Sequence, residues 1–105
     1  MKRLLLHAVA ESEIARAFDW YTRERRALGA KFLGAVIATL DRIADRPKSF
    51  PVIHRDLRRA QLPRPFSYVL MFRLGEDTVT VVACVHARQD PRSWQLREPI
   101  PAAAP

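Results

Sequence analysis

The spacing of apolar residues predicts two amphipathic helices in the first half of the chain. In the segments Glu11–Arg26 and Lys31–Arg46, apolar side chains recur three and four residues apart, with charged residues between them. Gly29 separates the two segments, and Pro47 ends the second because proline cannot continue a helix. Two helices joined by so few residues are predicted to form an antiparallel hairpin. The apolar stripes are Ile14, Ala17, Phe18 and Tyr21 in the first helix and Leu33, Val36, Ile37, Leu40, Ile43 and Ala44 in the second.

The remaining segments predict the sheet on which this hairpin packs. Lys2–Ala8 is a short apolar candidate strand, and Asp56–Leu62 is a polar, arginine-rich one. Phe66–Leu74 alternates along its length, and Thr78–His86 is rich in β-branched residues, which favour strands. Gly75 and its acidic neighbours supply the turn between these last two strands.

Alternation along the last two strands predicts which face of the sheet the helices cover. Successive side chains of a strand point to opposite faces, so every second residue shares a face. The face without Arg73 and His86 is the more apolar, and we expect it to lie beneath the helices. The face with Arg73 and His86 is then open to solvent or to a partner. The residues expected beneath the helices are Phe66, Tyr68, Leu70, Phe72, Val79, Val81, Ala83 and Val85.

The end of the chain predicts a short helix, for which Asp90 is the cap and Trp94 the apolar anchor. The fold class is therefore α+β: an N-terminal strand and a two-helix hairpin on a small twisted antiparallel sheet, with a short C-terminal helix. We expect residues 1–98 to form a single domain. Residues 99–105 are mostly proline and alanine, and we expect them to be disordered.

Composition narrows the classes of function. The chain has 105 residues, of which 49% are hydrophobic, and a net charge of +7; fifteen of its 18 basic residues are arginine. A small arginine-rich domain is typical of proteins that meet a polyanion or an acidic protein, although basic surface also serves solubility. One cysteine, Cys84, predicts a buried, inert thiol in a cytoplasmic protein. We expect no membrane span, no metal site and no cofactor.

The candidate chemistry lies in the arginines of the predicted sheet. Arg58 or Arg59 can converge with Arg73 and His86 on one concave surface. Such a set can clamp an RNA backbone, since arginine stabilises phosphate charge and histidine moves a proton. The alternative is that these arginines are solvated strand residues that discourage edge-to-edge pairing. Of the neighbouring Trp20 and Tyr21, one is expected in the core and the other on the surface, where a partner can cover it.

One combination of residues resembles the RelE/ParE superfamily of type II toxins, often labelled plasmid stabilisation proteins. The resemblance covers roughly residues 2–97, and its most specific part is the stretch from His86 to Trp94. It implies the fold described above, together with a cognate antitoxin that wraps around the toxin and neutralises it. The residues that carry the resemblance are Trp20, Tyr21, Leu28, Gly29, Phe32, Pro47, Phe66, Ser67, Tyr68, Val85, His86, Ala87, Arg88, Gln89, Asp90, Pro91 and Trp94.

The resemblance implies two alternative targets. RelE-like members cut mRNA on the ribosome and often use a C-terminal tyrosine or histidine, whereas ParE-like members inhibit DNA gyrase without a catalytic set. This chain has no tyrosine after Tyr68 and no histidine after His86, which favours the ParE side and a protein that is not an enzyme. A non-toxic, antitoxin-binding remnant is a third alternative. Candidate ribonuclease residues are Arg59, Arg73 and His86, and candidate partner-binding residues are Arg58, Arg59, Arg73, Arg88 and Trp94.

Overall fold

A computed structural model describes residues 2–95 and shows two long helices packed on a five-stranded sheet. The α+β class, the helical hairpin and the short C-terminal helix are confirmed. The expected domain limit at residue 98 and the tail 99–105 lie outside the described residues. The elements are β1 (Arg3–Leu6), α1 (Ala8–Glu24), α2 (Arg26–Asp45), a 3-10 turn (Pro47–Ser49), β2 (Val52–His54), β3 (Leu57–Gln61), β4 (Tyr68–Leu74), β5 (Thr78–His86) and α3 (Arg92–Gln95).

The hairpin differs from prediction at the junction between its helices. The break falls at Arg25, whose backbone is extended (φ −158°, ψ 135°), and Gly29 lies inside α2. A Cβ on Gly29 would lie 3.1 Å from the Cα of Thr22 in α1, so this glycine permits close helix packing and does not end a helix. At the start of α1, the Nδ1 atom of His7 accepts a hydrogen bond from the Val9 amide at 3.1 Å, a cap that the sequence pattern did not reveal.

The strand order of the sheet is β1-β5-β4-β3-β2. The pairs formed by β2, β3, β4 and β5 are antiparallel, but β1 lies parallel to β5, so the sheet is mixed and not wholly antiparallel as predicted. The parallel pair joins strands that are far apart in the chain, because the helical hairpin and the strands β2, β3 and β4 all lie between β1 and β5 in the sequence. Strand β2 was not predicted, because Pro51 pointed to a loop there.

A β-bulge changes which residues of β5 face the helices. Phe72 pairs with Val81, and the preceding residue Met71 pairs with Ala83, so the register skips Val82. Before the bulge the prediction is confirmed, because Val79 and Val81 lie in the core beneath the helices. After it the alternation inverts. Ala83 and Val85 lie on the face away from the helices, and Cys84 lies beneath them, which corrects the prediction for those residues.

The face away from the helices is a second apolar cluster and not the open, arginine-lined surface that alternation predicted. Trp94 of α3 packs on this face, with 9% of its surface exposed. Asp90 accepts a hydrogen bond from the Arg92 amide at 3.0 Å, which confirms the predicted cap of α3. The cluster consists of Leu57, Val69, Met71, Val82, Ala83, Val85 and Trp94.

Candidate partner-binding surfaces

Arg58 and Arg59 are neighbours on β3 and therefore point to opposite faces of the sheet. Arg58 lies across from Phe72, on the helix side, and its Nη1 donates a hydrogen bond to the Phe50 carbonyl at 2.7 Å. This contact holds the turn between α2 and β2 against β3. Arg59 lies across from Met71 and points away from the helices. The pair therefore cannot act from one surface.

Arg73 is bound within the protein by an acidic neighbour. Its Nε lies 3.2 Å from the Asp56 Oδ1, and only 18% of its side chain is exposed. The Nε is buried without a hydrogen bond of good geometry, so the contact is mainly one of charge. Directly across the sheet, the hydroxyl of Thr80 is also buried without a hydrogen-bond partner among residues 2–95. Arg73 therefore makes its ion pair within the fold, and little of its side chain is exposed to solvent.

His86 ends β5 on the helix side of the sheet. It lies across from Tyr68, and the two rings meet edge to face at 5.4 Å. Its Nδ1 accepts a hydrogen bond from the Arg88 amide at 3.1 Å, which orders the turn that follows. The Arg88 side chain is exposed and makes no ion pair within the described part of the chain. Arg88 is thus available to a partner, whereas His86 is held by its neighbours.

The predicted convergence of Arg73 and His86 is wrong. Tyr68 marks the level of His86 in the sheet, and Arg73 is five residues further along the same strand. At about 3.4 Å per residue, the two positions are about 17 Å apart along the strand. They also lie on opposite faces, because the bulge at Val82 moves His86 to the helix side. The structure does bring Arg59, His86 and Trp94 around one cavity of about 250 Å³.

A groove between α1 and β5 was not predicted from the sequence. Strand β1 pairs only with Thr78–Val81, so beyond Val81 the edge of β5 opposite β4 borders α1 and not another strand. The Oε1 atom of Glu13 accepts a hydrogen bond from the Cys84 amide there at 2.9 Å. The groove has a volume of about 540 Å³. Its lining includes Arg16, Trp20 and Arg23 from α1 and Tyr68 and Cys84 from the sheet.

The aromatic pair on α1 divides between the core and this groove. The Tyr21 ring lies 5.0 Å from the rings of both Phe32 and Phe66. The neighbouring Trp20 is 56% exposed and borders the groove. The expectation for the pair is confirmed, because the half-buried Tyr21 packs against the core and Trp20 lies on the surface.

The groove contains no reactive thiol. Cys84 is 2% exposed, and burial, with a smaller contribution from the Glu13 carboxylate, raises its thiol pKa to about 12. A thiol with so high a pKa is neutral at physiological pH and is a poor nucleophile. Among residues 2–95, no cluster of histidine, cysteine or acidic side chains has metal-binding geometry, and no helix is long and apolar enough to cross a membrane.

Comparison with known proteins identifies the family. No curated protein matches the chain in sequence. A solved structure described as the chromosomal ParDE TA system from P. aeruginosa matches the fold with a TM-score of 0.72 at 13% sequence identity, over 82% of this chain and 96% of the other. The model of the family described as the ParE toxin of type II toxin–antitoxin system, parDE, matches residues 4–91. The chain therefore belongs to the ParE toxin family of type II toxin–antitoxin systems.

Proposed function

We propose that this protein is the toxin of a type II toxin–antitoxin module and that it inhibits DNA gyrase by binding, without chemistry of its own. Family membership supports the toxin role, since the match spans residues 4–91, from β1 through β5. The choice of gyrase rests on the resemblance of the sequence to ParE-like members and on the geometry of the sheet.

The separation of Arg73 from His86 is the observation that favours gyrase over RNA cleavage. A general acid or base acts within hydrogen-bond reach of the group that it protonates. A phosphate bound at Arg73 would lie about 17 Å along the strand from His86, and on the other face of the sheet. Arg59 and His86 do border one cavity, but Trp94 and apolar strand residues make up much of its lining. This arrangement suits packing better than phosphoryl chemistry.

We further propose a cognate antitoxin as the physiological partner. The solved relative is described as a ParDE TA system, in which a toxin has a paired antitoxin. The net charge of +7 favours an acidic partner, because long-range attraction accelerates encounter and selects among partners. Among the predicted partner-binding residues, Arg88 remains exposed. Arg58 and Arg73 make contacts within the fold, and Trp94 is buried.

A supercoiling assay tests the target. We expect the purified protein to block supercoiling by gyrase and to trap cleaved DNA. A cognate antitoxin, to be sought in the neighbouring reading frame, is expected to restore supercoiling when it is added. His86→Ala is the matched variant, and it is expected to inhibit as strongly as the wild type, because His86 has no catalytic role in this proposal.

Three outcomes would contradict the proposal. Unaffected supercoiling combined with new mRNA 5′ ends after induction in cells would indicate a ribonuclease. Loss of toxicity in His86→Ala together with a correctly folded protein would restore a catalytic role for this residue. Normal growth on strong induction without antitoxin would indicate a non-toxic remnant.

A further inference from the structure

Three turns of the chain meet at one end of the molecule. The Tyr21 ring near the end of α1 lies 5.0 Å from the Phe66 ring, so the α1–α2 junction lies beside the turn that precedes β4. The Ala87 amide donates a hydrogen bond to the Ser67 carbonyl at 2.7 Å, which brings the turn after β5 to the same place. Packing thus joins segments that are far apart in the sequence.

Each of these turns carries exposed arginine. Together they present four side chains, which we term the basic end: Arg25, Arg26, Arg64 and Arg88. Within residues 2–95, none of the four forms an ion pair. The carboxylates nearby in sequence are Glu24 and Asp90, and Asp90 is engaged by Arg92 at 2.8 Å. The basic end therefore holds a positive charge that the fold itself does not neutralise.

The opposite end of the molecule is electrically mixed. The Lys2 ammonium donates hydrogen bonds to the carbonyls of Gly75 and Glu76 in the β4–β5 turn, which also contains two acidic side chains. Arg46, at the end of α2, lies 3.6 Å from the Asp45 carboxylate. The opposite end therefore pairs basic with acidic groups, whereas the four arginines of the basic end form no ion pair within residues 2–95. Unpaired positive charge of this kind attracts a polyanion.

We propose that the basic end binds the phosphate backbone of duplex DNA. Arginine suits this task because its planar guanidinium donates paired hydrogen bonds to phosphate oxygens. In the three turns the large apolar residues, Leu62 and Phe66, are buried, so the surface lacks the apolar centre that a protein interface usually has. The three turns themselves carry no exposed ring on which unpaired bases could stack, since the exposed Trp20 lies outside them, on α1 beside the groove.

The choice of DNA over duplex RNA rests on the proposed function, since gyrase carries a DNA duplex. Backbone contacts of this kind are independent of base sequence and depend strongly on salt, because each neutralised phosphate releases counterions. With four arginines, the slope of log K against log salt is expected to reach about −3.6. Free DNA without gyrase is sufficient to detect the interaction.

Fluorescence anisotropy with a labelled 20-base-pair DNA duplex tests the proposal. The full-length wild-type protein is compared at several salt concentrations with the triple variant Arg25→Gln, Arg64→Gln, Arg88→Gln. The control is Arg3→Gln, Arg46→Gln, Lys48→Gln, which removes the same charge from exposed positions away from the basic end. Circular dichroism verifies that each variant is folded.

We expect the basic-end variant to bind DNA at least roughly tenfold more weakly than the wild type at 50 mM salt, with a salt slope shallower by up to about 2.7. The control is expected to retain most of the affinity. Equal losses in both variants, no binding by the wild type, or tighter binding of a single-stranded or duplex RNA would overturn the proposal.

The supercoiling assay separates this inference from the proposed function. If the wild type binds DNA through the basic end but leaves gyrase active, the proposed target fails and the DNA-binding surface stands. If the wild type inhibits gyrase and the anisotropy experiment shows no loss specific to the basic end, the DNA-binding surface fails and the proposed target stands.

Discussion

Gly29 and Gly34 lie on the same helix but face different surroundings. A Cβ on Gly29 would lie 3.0 Å from the Cβ and 3.1 Å from the Cα of Thr22, whereas a Cβ on Gly34 meets nothing within 4 Å. The Thr22 hydroxyl is itself held by a 2.7 Å hydrogen bond to the Phe18 carbonyl. The packing of α1 on α2 therefore depends on the missing side chain at one glycine and not at the other.

The substitution Gly29→Ala is expected to destabilise the protein, and Gly34→Ala is its matched control. Overpacking at a tight contact costs about 1–3 kcal/mol, which outweighs the gain of about 1 kcal/mol from the better helix former. At Gly34 only the gain applies, so the free energy of unfolding should rise by up to about 1 kcal/mol. Urea denaturation measures both variants; equal effects would contradict the close approach at Thr22.

Cys84 makes the stability of the protein dependent on pH in the alkaline range. Its thiol pKa is raised from 9.0 to about 12, so the folded state keeps the proton that the unfolded chain loses near pH 9. This contribution to stability is complete below pH 9 and is lost as the pH rises towards 12. Burial also raises the pKa of Tyr21 and Tyr68. Both tyrosines therefore contribute a further decrease in the free energy of unfolding at still higher pH.

The comparison with Cys84→Ala is made between pH ~8 and pH ~10, a range that brackets the pKa of a free thiol. Over this range we expect the free energy of unfolding to fall more steeply in the wild type than in the variant. The variant also loses buried volume, which lowers its free energy of unfolding independently of pH, so the slope and not the absolute value is the readout. Urea denaturation across this range gives the slopes. Parallel slopes would show that the thiol has an ordinary pKa in the folded state.

Among the helices and strands, α1 covers the edge of β5 that β1 leaves unpaired, while β4 pairs along the other edge. Strand β1 reaches only Val81, and beyond it the Glu13 carboxylate accepts the hydrogen bond of the Cys84 amide. An unsatisfied buried amide is costly, so this single side chain both anchors the helix and protects the strand edge.

Removing this carboxylate is expected to loosen β5. Glu13→Ala should lower the free energy of unfolding by about 1–3 kcal/mol, because the Cys84 amide loses its acceptor. Glu13→Gln keeps an amide oxygen at the same position and should cost less. Hydrogen exchange at the Cys84 amide reports the effect locally, with faster exchange in the alanine variant. Unchanged exchange in Glu13→Ala would show that the amide has another partner.

At the scale of the whole molecule, the fold separates charges that the sequence places side by side and gathers others that it keeps apart. Arg58 and Arg59 are adjacent in sequence yet lie on opposite faces of the sheet. Arg25, Arg64 and Arg88 are far apart in sequence, and packing brings their turns to one end. The control variant at the opposite end of the molecule therefore tests whether DNA binding depends on this arrangement or only on net charge.

Local sequence patterns were sufficient to predict most of the helices and strands, because the spacing of apolar residues follows from the geometry of each element alone; β2 and the position of the α1–α2 junction were the exceptions. The period of 3.6 in α1 and α2, the limits of β5 and the cap of Asp90 on α3 were all readable from local patterns. The resemblance to the toxin superfamily was readable from the stretch between His86 and Trp94.

The surfaces that these elements present depend on how distant segments pack together. The bulge that skips Val82 depends on pairing with β4, and it moved Cys84 and His86 to the other face of the sheet. The parallel pairing of β1 and the groove beside α1 likewise depend on contacts between distant segments. The pattern of side chains along one strand does not specify which distant helix or strand packs beside it. For that reason the predicted Arg73–His86 site was wrong although most of the predicted helices and strands were confirmed.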